Sequence, residues 1–141
     1  MQYKPGLKYR GVARVHLDVL HFPQPLGSDQ LRPDPRRIEY LKQKFQKEGC
    51  DRLPVLRHVP VIVDQQSLDV AMRDSCVSAE RLLKHTNAYA HLAFPKGFRL
   101  ECIHGRHRIQ AGREFLSPKD MWWTVDLYLS GRVKDKELIA G

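Results

Sequence analysis

The sequence predicts a small mixed α/β domain, with about four strands, a helix after a Gly-Arg-His-Arg turn and a helical insertion. Three observations predict it. Residues 12–22, 53–63 and 122–129 are rich in β-branched and aromatic residues, and 98–102 alternates apolar and charged side chains, as half-buried strands do. Residues 35–48 and the segment from Arg106 to Leu116 carry helical spacing instead. The two types then follow in the order β, α, β, an extra helical segment, β, α, β.

The first strand, VARVHLDVLHF (residues 12–22), alternates Val15, Leu17 and Val19 with His16, Asp18 and Leu20. Residues 1–10, with Pro5 and Gly6 and no period, read as an extended arm. Pro23, Pro25, Gly27, Pro33 and Pro35 forbid regular structure in the loop after the strand. Asp34 suits a helix N-cap and Pro35 the first helical position, and Gly49 suits the C-terminal cap. Ile38, Leu41 and Phe45 form the buried stripe of that helix, while Arg37, Tyr40 and Lys44 repeat on an adjacent polar stripe.

LPVLRHVPVIV (residues 53–63) reads as the second strand, with Pro60 requiring an edge position, a bulge or a break. The insertion, about 66–92, holds one or two helices carrying Leu68, Met72, Cys76 and Leu83, with Ser67 and Ser78 as N-caps. WWTVDLYL is the last strand, with Trp123, Val125, Leu127 and Leu129 on one face and Trp122, Thr124, Asp126 and Tyr128 on the other. The tryptophans suit a core or interface role better than base stacking.

The chain has 141 residues, enough for one domain with a real core, and residues 1–141 are read as such. Hydrophobic residues make up 42%, which excludes a disordered tail. Lys and Arg number 24 against 16 Asp and Glu, a net charge of +8 that favours anionic partners. The basic residues are scattered, so nucleic acid is one option among several. No apolar run approaches the ~20 residues of a membrane span, and no signal-peptide pattern opens the chain. Cys50, Cys76 and Cys102 lie far apart, in neither a zinc nor a disulfide pattern, which points to an intracellular setting, cytoplasmic or nuclear. The seven histidines show no metal-ligand spacing.

The richest stretch is FRLECIHGRHRIQAGREFL (residues 98–116): a strand, a turn at Gly105, and a helix opening on Arg106, His107 and Arg108. A helix start already carries unpaired N–H groups and the positive end of the dipole. Cations there disfavour the helix, unless an anion binds to both the N–H groups and the side chains. A phosphate meets that requirement.

These residues resemble the ParB N-terminal/sulfiredoxin-like superfamily, in pieces from about Val12 to Leu129. VHLDVLHFP is similar to the family's first strand, DPRRIEYLKQKFQKEG to its first helix, and LPVLRHVPVIV to the strand after it. Gly105, His107 and Arg108 match the glycine, histidine and arginine around the sulfiredoxin cysteine. The whole is also similar to a set of fungal proteins carrying a ParB-like region. The resemblance implies nucleotide binding, ATP or CTP with Mg2+, with phosphates at Gly105, Arg106, His107 and Arg108 and with Arg37, Tyr40 and Lys44 facing the same site. NTPase activity or phosphotransfer to a small molecule would follow, with Glu101 and Asp18 the nearest carboxylates. Three departures stand out. Arg106 occupies the sulfiredoxin cysteine position, which removes the nucleophile; Cys102 reads as a buried, inert thiol. The further ParB motif and helix-turn-helix are not seen after the last strand. Residues 66–92 replace a short connection. The alternatives are a nucleic-acid-binding module and a catalytically silent domain that binds a protein partner through the insertion.

Overall fold

The computed structural model describes residues 7–23, 33–84 and 88–130. It shows a five-stranded mixed sheet with four helices. The strands are β1 (Lys8–His16), β2 (Leu20–His21), β3 (Val59–Val63), β4 (Leu100–Cys102) and β5 (Trp122–Leu129). The helices are α1 (Pro35–Glu48), α2 (Gln65–Ser75), α3 (Ala79–Leu82) and α4 (Arg106–Phe115). The sheet order is β1-β5-β3-β4-β2. β1 runs antiparallel to β5, β3 parallel to β5, and β4 antiparallel to β3 and parallel to β2.

The first strand is longer than expected at its start and broken at its end. Lys8, Tyr9 and Arg10 belong to β1 and not to an arm; residues 1–6 of that arm lie outside the described residues, as do 24–32 of the proline loop. Leu17–Val19 forms a 3-10 turn. His16 Nδ1 accepts from the Asp18 N–H at 3.1 Å, and the Arg113 guanidinium donates to the carbonyls of Leu17 and Leu20, at 3.1 and 2.7 Å. A local cap and a guanidinium from α4 thus stabilise the break against strand propensity.

α1 begins and ends where its sequence signals place it. The Asp34 carboxylate accepts from the Arg36 N–H at 3.0 Å, and Gly49 takes φ 88°. Ile38 and Phe45 are buried, with Leu41 packed against the same core. α2 starts at an earlier cap than Ser67: the Asp64 carboxylate accepts from the Ser67 N–H at 2.9 Å. Burial alone would raise the Asp64 carboxyl, but hydrogen bonds from Ser67 hold it below its ordinary value. Ser78 caps α3 as expected, accepting from the Arg81 N–H. The insertion is no detached lid, because Leu68, Ala71, Leu82 and Leu92 join the main core. Its last part lies along β1, where Arg14 N–H donates to Ala90 and Leu92 N–H to Arg14.

Residues 53–63 divide in two. Val55–Arg57 is a 3-10 turn, and β3 begins only at Val59. The predicted strand breaks before Pro60, at the 3-10 turn; Pro60 itself lies within β3 and does not mark a sheet edge, because β3 is an interior strand. The proline is tolerated beside the strand start; pairing to β4 begins at Val61, and the Pro60 carbonyl accepts from Ile103 N–H at 2.9 Å. β5 is also interior, paired on both edges, and residues on both of its faces are buried. Trp123 is buried against α1 and α4, with its ring 6.2 Å from that of Phe45. Gly112 lets α4 approach: a Cβ there would stand 2.8 Å from Trp123 Cζ3. Trp122, on the other face, is stacked by Arg52, whose guanidinium carbon lies 3.6 Å from the ring centroid. Both tryptophans therefore serve packing.

Candidate functional site

α1 and α4 lie side by side and point the same way. Asp34 meets His107, Lys42 meets Glu114, and Phe45 meets Phe115. Both helix N-termini, and both positive dipole ends, therefore sit at one end of the pair. β4 delivers the chain to that end through Gly105, whose φ of 103° requires a glycine. A Cβ on Gly105 would also press on Val59 Cγ2 at 3.0 Å. Gly105 offers no side-chain cap to the first turn of α4.

The predicted side chains have distinct duties there. His107 Nε2 accepts from the Asp34 N–H at 2.9 Å, which joins the starts of the two helices. This bond uses Nε2 as an acceptor, so the ring in this geometry is a neutral tether and adds no cation. The Arg106 guanidinium lies over the Phe22 ring, 5.2 Å from its centroid. Arg108 is half-buried, and its Nη1 donates to the carbonyls of Arg57 and His58, at 3.3 and 3.5 Å. Burial, then the like charges of Arg57 and Arg37, push the Arg108 guanidinium below its ordinary value. His104, one residue before the turn, is likewise lowered by burial and by Arg108.

Arg37, exposed on α1, is near enough for its charge to act on Arg108. Tyr40 and Lys44 lie further along α1, and Lys44 is two turns from Arg37, or roughly 10 Å along the axis. Those two line a separate shallow hollow of about 210 Å3 with Gln43, Lys47 and Glu48. A second hollow, of about 370 Å3, lies between α1 and α4 and includes Glu39 and Glu114. Its carboxylates suit it poorly to a phosphate. Arg57 is the member that sequence reading missed. It looked like part of a strand, and only the 3-10 turn places it beside Arg108.

Neither expected carboxylate is among the groups that act on Arg108. Asp18 is exposed and lies 3.5 Å from His16, and Glu101 is exposed on β4. Cys102 is buried, and burial pushes its thiol up to about 12, so it stays protonated at neutral pH. Burial pushes Cys50 up to about 11. Among the described residues, no group of three or more His, Cys, Asp or Glu side chains converges as a metal site. None of the described helices is long and apolar enough to cross a membrane.

Two buried polar clusters also escaped sequence reading. Arg52 donates to the carbonyls of Cys50, Asp120 and Trp122 and pairs with the Asp120 carboxylate at 2.9 Å. His58 Nδ1 lies 2.8 Å from Asp126 Oδ1, and Nε2 lies 2.7 Å from the Leu53 carbonyl. A carbonyl only accepts, so Nε2 donates to Leu53, and Nδ1 faces the Asp126 carboxylate.

A comparison with curated proteins finds no match to this chain. A family model described as "Protein of unknown function (DUF3723) N-terminal domain" matches residues 8–139. The chain belongs to that family.

Proposed function

We propose that this domain binds a nucleotide through its phosphates at the start of α4. One observation carries the reading: Arg108, in the first turn of α4, donates to the Arg57 carbonyl and has the charges of Arg57 and Arg37 near enough to act on it, so three cations gather toward the start of α4. The groups that act on Arg108 are cations, with no carboxylate among them in the described residues. Holding like charges together costs free energy that a bound anion would return. Backbone N–H groups at a helix start and guanidinium forks are the donors that phosphate oxygens take. The resemblance to the ParB/sulfiredoxin-like superfamily agrees with this reading and suggests ATP or CTP. A magnesium ion would arrive on the nucleotide's own phosphates, since the three arginines offer it no ligand and the Asp34 carboxylate is engaged as the cap of α1. Turnover, as an NTPase or a small-molecule kinase, is an extension that phosphate release would test.

Arg108→Ala is a poor first variant, because it also frees the carbonyls of Arg57 and His58. Arg37 is exposed, so Arg37→Glu reverses one charge without opening the core. Millimolar ATP, ADP, CTP and GTP with magnesium are compared by thermal shift on wild type and Arg37→Glu. At a hundredfold excess over Kd, a bound nucleotide stabilises by about 2.7 kcal/mol. The expected result is a shift for at least one triphosphate that Arg37→Glu reduces or abolishes. No shift with any of the four overturns the proposal.

A further inference from the structure

The 53–58 turn joins two features that rarely occur together. It is firmly anchored, and it displays apolar side chains to solvent. Its start is held by the His58 Nε2–H bond to the Leu53 carbonyl, backed by Asp126. Its end is held at the Arg57 carbonyl by Trp123 Nε1–H at 2.9 Å and by Arg108. Buried or half-buried polar groups from β5 and α4 thus hold the turn on both sides of Val55 and Leu56, through His58 to Leu53 and at Arg57. Yet Leu56 is 90% exposed and Val55 63%. An exposed leucine on a loose loop needs no explanation. One presented on an anchored turn is preorganised for contact.

Its neighbours select the kind of contact. Arg57 follows Leu56 directly, and its carbonyl accepts from Arg108, in the first turn of α4, at 3.3 Å. The apolar tip therefore borders the cationic cluster. A ligand matching both has an anionic part joined to a flat, weakly polar part, and a nucleotide has that division. We infer that the Val55–Leu56 tip is the contact surface for the base of a nucleotide whose phosphates sit at the start of α4. The inference rests on the phosphate reading above. Aliphatic contact with a ring face is tolerant of ring identity, so the tip would add affinity more than it would discriminate among bases.

Isothermal titration with ATP, CTP and inorganic tripolyphosphate, on wild type and Leu56→Ser, tests the inference. Leu56 contributes little to the core, so the variant keeps its fold, checked by an unchanged unfolding midpoint. The expected result is that wild type binds at least one nucleotide about tenfold more tightly than tripolyphosphate. Leu56→Ser then loses most of that difference and leaves tripolyphosphate binding unchanged. Equal binding of all three ligands, with no effect of Leu56→Ser, overturns the base contact and leaves the phosphate reading standing. Failure of all three to bind wild type overturns both. If Leu56→Ser weakens a single-stranded oligonucleotide but neither mononucleotide, the tip serves nucleic acid, and the inference is also overturned.

Discussion

Gly11→Ala destabilises the fold by about 3–5 kcal/mol, the upper end of the range for point substitutions. Gly11 sits where the β1–β5 register shifts, with φ 126°. An alanine in that region is strained by about 1–3 kcal/mol. Contact adds to the strain. A Cβ on Gly11 would overlap the Leu82 carbonyl oxygen and stand 2.8 Å from Leu82 Cβ. The carbonyl is backbone and cannot rotate away, so α3 must move off β1 and take buried Leu82 with it. Urea unfolding of the variant measures this directly. A loss below 1 kcal/mol would mean that α3 does not pack so closely on β1.

Asp126→Ala comes next, with an expected loss of about 3 kcal/mol or more. Asp126 is largely buried beside His58, whose side chain is 1% exposed. Removing the carboxylate leaves a buried Nδ1 without its partner. The double variant Asp126→Ala/His58→Leu removes both polar groups. It is expected to lose less than the sum of the two single variants, because neither group is then left stranded. Strict additivity would contradict the pairing. The aspartate also raises Tyr9: burial first, then the Asp126 charge, pushes that phenol up to about 12. Asp126→Ala therefore lowers the Tyr9 titration, which ultraviolet absorbance follows.

Whether a feature was legible in the sequence depended on how local its causes are. α1 carries its start, stripe and stop within sixteen residues, from Asp34 to Gly49, and β5 carries its period without interruption. The strand-turn-helix around Gly105 is equally local, since Leu100 and Cys102 alternate and Ile109, Ala111 and Gly112 follow helical spacing. The 3-10 turns were hidden. Leu17–Val19 looks like strand until Arg113, almost a hundred residues away, takes its carbonyls. Val55 and Leu56 look like buried strand residues, and only the locking bonds of Trp123 and Arg108 show why they stay exposed. Arg52–Asp120 and His58–Asp126 each span 68 positions, beyond any local pattern. At the candidate site, residue spacing put Arg37 on a polar stripe of α1 and Arg108 in the first turn of α4, but it could not show that His107 is a tether or that Arg57 lies beside Arg108.

A phosphate at the start of α4 would be met by backbone N–H groups beside the arginines, and their resonances report its binding most directly. In a 15N-labelled sample titrated with MgATP, the amides of Arg106, His107 and Arg108 are predicted to shift together and to saturate. Arg37 on α1 and Arg57 before β3 should follow at the same ligand concentration. Nucleotide binding that leaves Arg106 to Arg108 unmoved, or no shift anywhere at millimolar ligand, would contradict a phosphate site at the start of α4.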